Sequence, residues 1–399
     1  MSLAHGRHYL AIPGPSVVPD RVLQAMHQPS PNIYAGPLVD MVDTILPDLK
    51  KVARTEHHVA IYIANGHGAW EAAVANIFSP DDEALALATG RFTKGWVEMA
   101  RAMGVNVRTL DFGMRNAVDL ERFRTALLAD SEHRIKAVMT TQVDTSTSVR
   151  NDIKALRDVL DETGHPALLM IDCIACLACD DFHMDAWGVD VMVAGSQKGL
   201  MTPPGLGFVY FNDKADEARE AAACVTSYWD WRPRVGAEMF YQLFCGTAPT
   251  HHLFGLREAL DMLLVEEGLE EALARHAILA RAIWAAAEAW GQGGSLKLNV
   301  ADPDQRSHAV TSLRIDAPDG TRLREWLSDR AGVTLGIGLG MADPSSPDWH
   351  GFFRIGHMGH VNAHMVLGLL STIEAGFTAL DIPHGPGALT AAAKICAEA

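Results

Sequence analysis

The chain has 399 residues, of which 48% are hydrophobic and 21% are charged, and its formal net charge at pH 7 is -16. A chain of this length buries more than one ordinary core, so we expect a large domain and a smaller one. The acidic balance and the lack of any basic run argue against nucleic acid or an anionic membrane as a partner. Residues 1–14 lack the apolar core of a secretory signal, and no stretch approaches eighteen apolar residues, so we expect a cytoplasmic protein.

Short apolar runs alternate with helical patterns over the first two thirds of the chain. Patterns such as GAWEAAVANIF and DIKALRDVLDETG repeat their apolar residues at helical spacing. Strands that alternate with helices predict an α/β fold with a seven-stranded, mostly parallel sheet covered by helices on both faces. The predicted strands are 59–63, 84–88, 105–110, 136–140, 167–171, 190–194 and 207–211.

The pattern changes after about residue 265. A long Ala-rich helical pattern, EEALARHAILARAIWAAAEAWG, is followed by the separate strand-like runs VTSLRI, VTLGIG and FFRIGH. This arrangement predicts a smaller α+β domain. We therefore divide the chain into an N-terminal segment of residues 1–16, a large domain of residues 17–265 and a C-terminal domain of residues 266–399.

Several chemically useful residues follow the predicted strands directly. Lys198 follows the strand at 190–194, Asp172 closes the strand at 167–171, and the glycine-rich stretch 65–68 follows the first strand. Phe92 comes after the run ALATG. Each has an ordinary alternative: a solvated lysine, a helix cap, a turn or a core ring. The carboxyl ends of parallel strands meet at one edge of a sheet, however, and this edge is where such folds bind ligands.

These residues together match the requirements of pyridoxal phosphate. Glycines let backbone N–H groups close on a phosphate at a helix N-terminus, and an aromatic ring can stack on a planar ligand. The lysine forms a Schiff base with the cofactor, and the carboxylate keeps its pyridine nitrogen protonated so that the ring accepts electrons. The set therefore predicts a pyridoxal phosphate site at the sheet edge.

The sequence also resembles a known family over nearly its whole length. The matching segments are IPGPSVVP, NGHGAWEAA, LATGRF, TTQVDTSTSV, IDCIAC, GSQKGLMTPPGLG, GTAPTHHLFGLREAL and FRIGHMG. They resemble the fold-type-I, class V aminotransferases, and within them the alanine–glyoxylate and serine–glyoxylate group; GSQKG followed by PPG is the most specific. The resemblance implies a transaminase with ping-pong kinetics and a homodimer whose active sites lie at the subunit interface.

The resemblance also implies roles for individual residues. Lys198 would carry the Schiff base, and Asp172 would pair with the pyridinium nitrogen. Thr247 would reach the phosphate from the neighbouring subunit, whereas Phe244 stands where some relatives have a tyrosine that bonds the phosphate. The full set of implied cofactor residues is Asn65, Gly66, His67, Phe92, Thr145, Asp172, Gln197, Lys198 and Thr247.

Arg354 is the candidate for substrate binding. It lies in the apolar run FFRIGH, and its planar fork suits an α-carboxylate, with a structural ion pair as the alternative. The resemblance implies the carboxylate-binding role and places Gly14, Tyr34 and Leu339 near the substrate. The small, uncharged segments around Gly14 and Leu339 favour alanine or serine as the amino donor and glyoxylate or pyruvate as the acceptor.

Two related substrate choices stay open at this point. Tyr34 departs from the pattern of many serine–glyoxylate relatives, and pyridoxamine–pyruvate aminotransferase carries a tyrosine nearby. An aspartate–glyoxylate type of enzyme would need another cation, for which Arg91, Arg232 and Arg234 are candidates.

Three other interpretations are disfavoured. The run Cys173, Cys176 and Cys179 resembles part of a metal site, but no second cysteine pair completes it, so we expect buried thiols and no metal. A cysteine desulfurase needs a reactive cysteine on a mobile loop, and Cys396 has no motif around it. A ligand-sensing module would need an output domain, for which the acidic chain has no room. The histidines at 357, 360 and 364 also suggest a metal site, but they span a strand end and a helix start rather than one helical face. We therefore expect them to be ordinary polar or capping residues.

Overall fold

The computed structural model describes residues 2–398. These residues form twelve strands and thirteen α-helices. The strands are β1 (Tyr9–Ala11), β2 (His58–Ala64), β3 (Glu83–Ala88), β4 (Asn106–Asp111), β5 (Ile135–Thr141), β6 (Leu168–Asp172), β7 (Val191–Gly195), β8 (Gly205–Phe211), β9 (Lys297–Leu298), β10 (Val310–Arg314), β11 (Val333–Ile337) and β12 (Phe352–Gly356).

The helices cover both sheets and link their strands. None of them, within residues 2–398, is both long enough and apolar enough to cross a membrane. They are α1 (Asp20–Met26), α2 (Pro37–Ala53), α3 (Gly66–Ile77), α4 (Arg91–Ala102), α5 (Leu120–Leu128), α6 (Ile153–Thr163), α7 (Asp213–Arg219), α8 (Arg232–Val235), α9 (Thr250–Asp261), α10 (Leu269–Gly291), α11 (Asp319–Trp326), α12 (Ala363–Ala379) and α13 (Ala388–Ala397).

The larger sheet has seven strands in the order β2-β8-β7-β6-β5-β3-β4. Only β8 runs antiparallel to its neighbours, and the pairs from β7 through β4 are all parallel. The predicted seven-stranded, mostly parallel α/β sheet is therefore confirmed, and each of the seven predicted strands is found within two residues of its expected ends. Strands β5, β6 and β7 are almost completely buried because helices pack on both faces.

The smaller sheet has five strands in the order β1-β11-β12-β10-β9. Strand β1 joins it from the N-terminus and pairs in parallel with β11, while the remaining neighbours are antiparallel. The sequence did not predict β1, because three residues are too few to show a period. This pairing fixes the start of the chain beside the C-terminal strands.

The transition near residue 265 is helical on both sides and is interrupted only at Gly268, whose φ is +92°. Helix α9 runs into a π-helical turn, Met262–Glu267, and α10 begins at Leu269. Helix α10 buries one long face against a separate apolar cluster that it shares with α12 and the smaller sheet. The exact domain boundaries stay a prediction.

Candidate active site

Lys198 lies three residues beyond the end of β7, in the loop that leads to β8. Its side chain is buried, and Nζ donates a hydrogen bond to the carbonyl of Pro13. Burial, followed by the charge of Arg354, lowers the pKa of Lys198 to about 8. An amine with such a pKa loses its proton near pH 8, far more readily than an ordinary lysine, and a nucleophile or proton acceptor requires the neutral form.

Asp172 is the last residue of β6, and its side chain is buried. Oδ2 accepts a hydrogen bond from Trp70 Nε1 at 2.9 Å, and Oδ1 accepts one from the backbone of Ile174 at 2.7 Å. Burial raises the pKa of Asp172 to about 7 despite these bonds. A cationic partner in the cleft would therefore stabilise its ionised form.

Trp70 is a site residue that the sequence did not identify. It lies on α3 and donates its indole N–H to Asp172. The general need of a buried carboxylate for a donor was the available signal, but it does not say which donor. Only the packing of α3 against the end of β6 reveals the pair.

The glycine-rich stretch forms the N-terminus of α3. The side chain of Asn65 caps this helix by accepting hydrogen bonds from His67 N at 3.1 Å and Gly68 N at 3.3 Å. Gly66 is buried, and a Cβ atom there would come within 2.5 Å of Ile174 Cδ1. The structure thus brings this helix end against the residues that follow Asp172, and an anion bound there would share its N–H donors with Asn65.

Phe92 is placed by a second buried carboxylate, that of Asp144. The backbone N–H of Phe92 donates to Asp144 Oδ2 at 2.7 Å, while Oδ1 accepts from Ser146 N at 2.9 Å and from Ser146 Oγ at 2.5 Å. The ring of Phe92 lies 6.2 Å from that of Trp70 in an edge-on arrangement. The sequence did not single out Asp144, although an aspartate followed by Ser and Thr is typical of such local hydrogen bonding.

Arg354 lies in the middle of β12 with 5% of its surface exposed. Nε donates to the carbonyl of Ile337 at 2.7 Å, and Nη1 donates to the carbonyl of Thr145 at 2.8 Å. Among residues 2–398, Nη2 has no hydrogen-bond partner and no carboxylate lies within 4.0 Å of the guanidinium. The alternative of a structural ion pair is therefore wrong.

Burial lowers the pKa of Arg354 to about 10, although the charge of Asp144 opposes this shift. A buried cation without a partner destabilises the folded chain unless an anion arrives. The free Nη2 therefore marks a place for a carboxylate beside Lys198.

Gln197 and Gly14 complete the surroundings of Lys198. The side-chain Oε1 of Gln197 is buried without a hydrogen-bond partner in the described part of the chain, and its backbone carbonyl accepts from Ser16 N at 2.8 Å. Gly14 has a φ of +98°, and a Cβ atom there would overlap the side chain of Lys198. An orphaned polar atom and a glycine that gives space beside the lysine fit a site built for a polar ligand.

Two residues with implied roles, Tyr34 and Thr247, are not brought into this cluster within one chain. Tyr34 is 80% exposed between α1 and α2, and Thr247 is exposed just before α9. Neither side chain forms a hydrogen bond with any residue from 2 to 398. Leu339 is half-buried in the loop after β11. Phe244 is buried in the main core of the large domain, with its ring 5.6 Å from that of Phe240.

The cysteine run consists of buried free thiols, as predicted. Burial raises the pKa of Cys173, Cys176 and Cys179, which keeps all three protonated. The thiols of Cys173 and Cys176 both donate to Gln142 Oε1. No group of three or more His, Cys, Asp or Glu side chains in residues 2–398 is arranged to hold a metal ion.

Comparison with known proteins agrees with this geometry. The family profile Aminotransferase class-V matches residues 8–364. Serine–glyoxylate aminotransferase of Arabidopsis thaliana is 35% identical over 98% of this chain and 95% of its own length. L-aspartate–glyoxylate aminotransferase of Paracoccus denitrificans is 34% identical over 96% of this chain and 94% of its own length.

Solved structures give the same result. Pyridoxamine–pyruvate aminotransferase from Mesorhizobium loti superposes with a TM-score of 0.88 at 25% identity and covers 99% of both chains. Alanine–glyoxylate aminotransferase from Nostoc sp. superposes with a TM-score of 0.83 at 29% identity, covering 93% of this chain and 96% of that one. This family and its solved members imply pyridoxal phosphate as the cofactor. The chain is an aminotransferase that belongs to the class V family.

Proposed function

We propose that this aminotransferase binds pyridoxal phosphate through Lys198 and transfers the amino group of alanine or serine to glyoxylate or pyruvate. The observation that carries the proposal is the meeting of three buried groups where the carboxyl edge of the larger sheet faces β12 of the smaller sheet. These are an amine with a lowered pKa, a carboxylate with a raised pKa and a guanidinium with a free Nη2. No ordinary structural role accounts for all three together.

Different residues of the chain would bind different parts of the cofactor. Asp172 would hold the pyridine nitrogen in its protonated form, and the ring of Phe92 would lie against the cofactor face. The backbone of Gly66 and His67, with Asn65 and Gln197, would hold the phosphate, and the hydroxyl of Thr145 would contact the ring. The raised pKa of Asp172 supports this fit, because a cationic pyridine nitrogen would stabilise the ionised carboxylate.

The bound cofactor supplies an electron sink for the electrons of the substrate Cα–H bond. Arg354 binds the α-carboxylate through Nη2 and so fixes the orientation of Cα toward Lys198. The amine of Lys198, once free, takes the proton from Cα and later returns it at the other end of the reacting system. A pKa near 8 suits both directions of this transfer.

The proposal includes a homodimer. Thr247 and Tyr34 are exposed in one chain, and a second copy that covers them would bring both side chains to the neighbouring site.

The relatives named for serine, aspartate and pyridoxamine differ in their donors. The small, uncharged segments around Gly14 and Leu339 support a compact donor. A cytoplasmic location stays a prediction.

Single-turnover reaction with one amino acid at a time tests this proposal. The purified, cofactor-loaded protein is mixed with L-alanine or L-serine without any oxo acid, and the visible absorbance is followed by stopped flow. We expect rapid bleaching and, from alanine, one equivalent of pyruvate per site. Bleaching by neither amino acid would refute the proposed donors, and Lys198→Ala should show no bleaching at all.

A further inference from the structure

Three arginines are candidates for a second cation in the site, and the structure excludes two of them. Arg232 is engaged by Asp216, with its Nη2 2.9 Å from Oδ2. Arg234 is buried and donates to the carbonyls of Ile61 and Leu243. Both guanidinium groups are therefore occupied by structural roles.

Arg91 is different because its guanidinium has no partner. It is the exposed first residue of α4, and only its backbone N–H is bonded, to Ser146 Oγ at 3.2 Å. No carboxylate of residues 2–398 lies within 4.0 Å of it, although the chain carries 49 acidic residues. A cation in the first turn also opposes the helix dipole. An anion at this position would offset the unfavourable interaction of Arg91 with the helix dipole.

Contacts place Arg91 at the mouth of the cleft. Its stem lies against Gly340, where a Cβ atom would come within 2.7 Å of both Arg91 Cβ and Cδ. Gly340 belongs to the loop after β11, whose Ile337 carbonyl holds Arg354. On the other side, burial and then the charge of Arg91 lower the pKa of His67. Arg91 thus lies between the loop that holds Arg354 and the glycine-rich helix end, and directly precedes Phe92.

We infer that Arg91 binds the second carboxylate of a dicarboxylic amino acid such as aspartate, so that the site takes acidic donors in addition to small neutral ones. The inference rests on the proposed function and extends its range of substrates. Arg354 binds the α-carboxylate in both classes, whereas Arg91 contributes only when the donor carries a second anion. Transfer of the amino group from aspartate to the oxo acid leaves oxaloacetate, so no further reactant is needed.

Matched variants test the inference. Wild-type, Arg91→Gln and Arg108→Gln proteins, loaded with cofactor, are each mixed with L-aspartate or L-alanine in single turnover. Arg108 is an exposed arginine of β4 without an ion pair in the described chain and serves as the control. Loss of one charge-assisted contact should slow the aspartate reaction of Arg91→Gln about 10- to 100-fold. The alanine reaction should stay within about twofold, because alanine makes no such contact.

Binding of a non-reacting anion gives a second reading. Maleate has two carboxylates and acetate has one, and calorimetry measures both on the cofactor-loaded protein. Arg91→Gln should weaken maleate binding at least about tenfold and leave acetate unchanged. Equal losses for aspartate and alanine, or for maleate and acetate, would overturn the inference by showing that Arg91 only supports Phe92. Wild-type protein that reacts with alanine but not with aspartate would also overturn the inference. If no amino acid reacts but Arg91→Gln still weakens maleate binding and not acetate binding, the proposed function is refuted and the anion site at Arg91 is retained.

Discussion

The backbone of Gly14 lies directly against the side chain of Lys198, so that residue 14 has no room for a Cβ atom. The neighbouring carbonyl of Pro13 accepts the hydrogen bond of Nζ, although 185 positions separate the two residues. Strand β1 fixes this segment by its pairing with β11. The N-terminal segment therefore forms one wall around the amine.

Replacement of Gly14 should disturb this wall. In Gly14→Ala the new methyl group would push the amine of Lys198 aside, and the φ of +98° would add strain of roughly 1–2 kcal/mol. We expect the affinity of the cofactor-free protein for pyridoxal phosphate to fall at least about tenfold, because the amine must move out of its position. Titration of the visible absorbance measures this change.

Gly113→Ala is the control for Gly14→Ala. Gly113 has a similar φ of +82°, but no atom lies within 4 Å of a Cβ built there. The control shares the backbone strain and lacks the contact with Lys198. Equal losses of cofactor affinity in both variants would mean that the contact is unimportant.

Removal of the Lys198 charge should stabilise the cofactor-free protein. Burial lowers the folded-state pKa to about 8 from 10.5, so the unfolded chain holds this proton more tightly. The resulting destabilisation is complete below pH 8 and disappears as the pH rises to 10.5. At pH 7, Lys198→Met should raise the free energy of unfolding by about 3 kcal/mol.

Urea unfolding at pH 7 and pH 10 measures this effect. The gain from Lys198→Met should shrink at the higher pH, and Lys297→Met, at an exposed lysine of β9, should show no gain at either pH. A variant no more stable than wild type at pH 7 would show that the buried amine carries no such penalty.

Substitution of Arg354 should affect substrate binding more than cofactor binding. Arg354→Gln removes the charge and the free Nη2, so the KM for alanine should rise about 10- to 100-fold, as expected for loss of a charge-assisted carboxylate contact. Arg354→Lys keeps the charge without the planar fork and should recover only part of the loss. Cofactor affinity should be unchanged in both variants, and an unchanged KM would exclude Arg354 as the carboxylate-binding residue.

Asp144 should be needed to position Phe92. Asp144→Asn keeps one acceptor oxygen and loses the other, which leaves a donor unpaired and should lower the free energy of unfolding by about 1–3 kcal/mol. The visible circular dichroism of the bound cofactor should also change. Asp343→Asn makes the same exchange in an exposed loop, where Oδ1 accepts a similar pair of bonds from Ser345, and it should alter neither quantity.

The sequence predicted the sheet and its functional edge because both depend on local patterns. Each apolar run of the large sheet is long enough to be recognised as a strand. Asp172 and Lys198 could be placed because they lie at or just beyond the ends of such strands. Trp70 and Asp144 could not be predicted, since their roles depend on which helix packs against which strand end. The proposed contacts of Tyr34 and Thr247 would form only in a homodimer. The spacing of residues within one chain does not show how two chains pack together.

Covalent mapping of the cofactor shows directly whether Lys198 carries it. The cofactor-loaded protein is reduced with borohydride, digested and analysed by mass spectrometry, with Lys198→Ala treated in parallel. We expect a phosphopyridoxyl group on the peptide that contains Lys198, at about one equivalent per chain, and none on that peptide in the variant. A label on another lysine, or no label on a protein that retains the visible absorbance of bound cofactor, would contradict it.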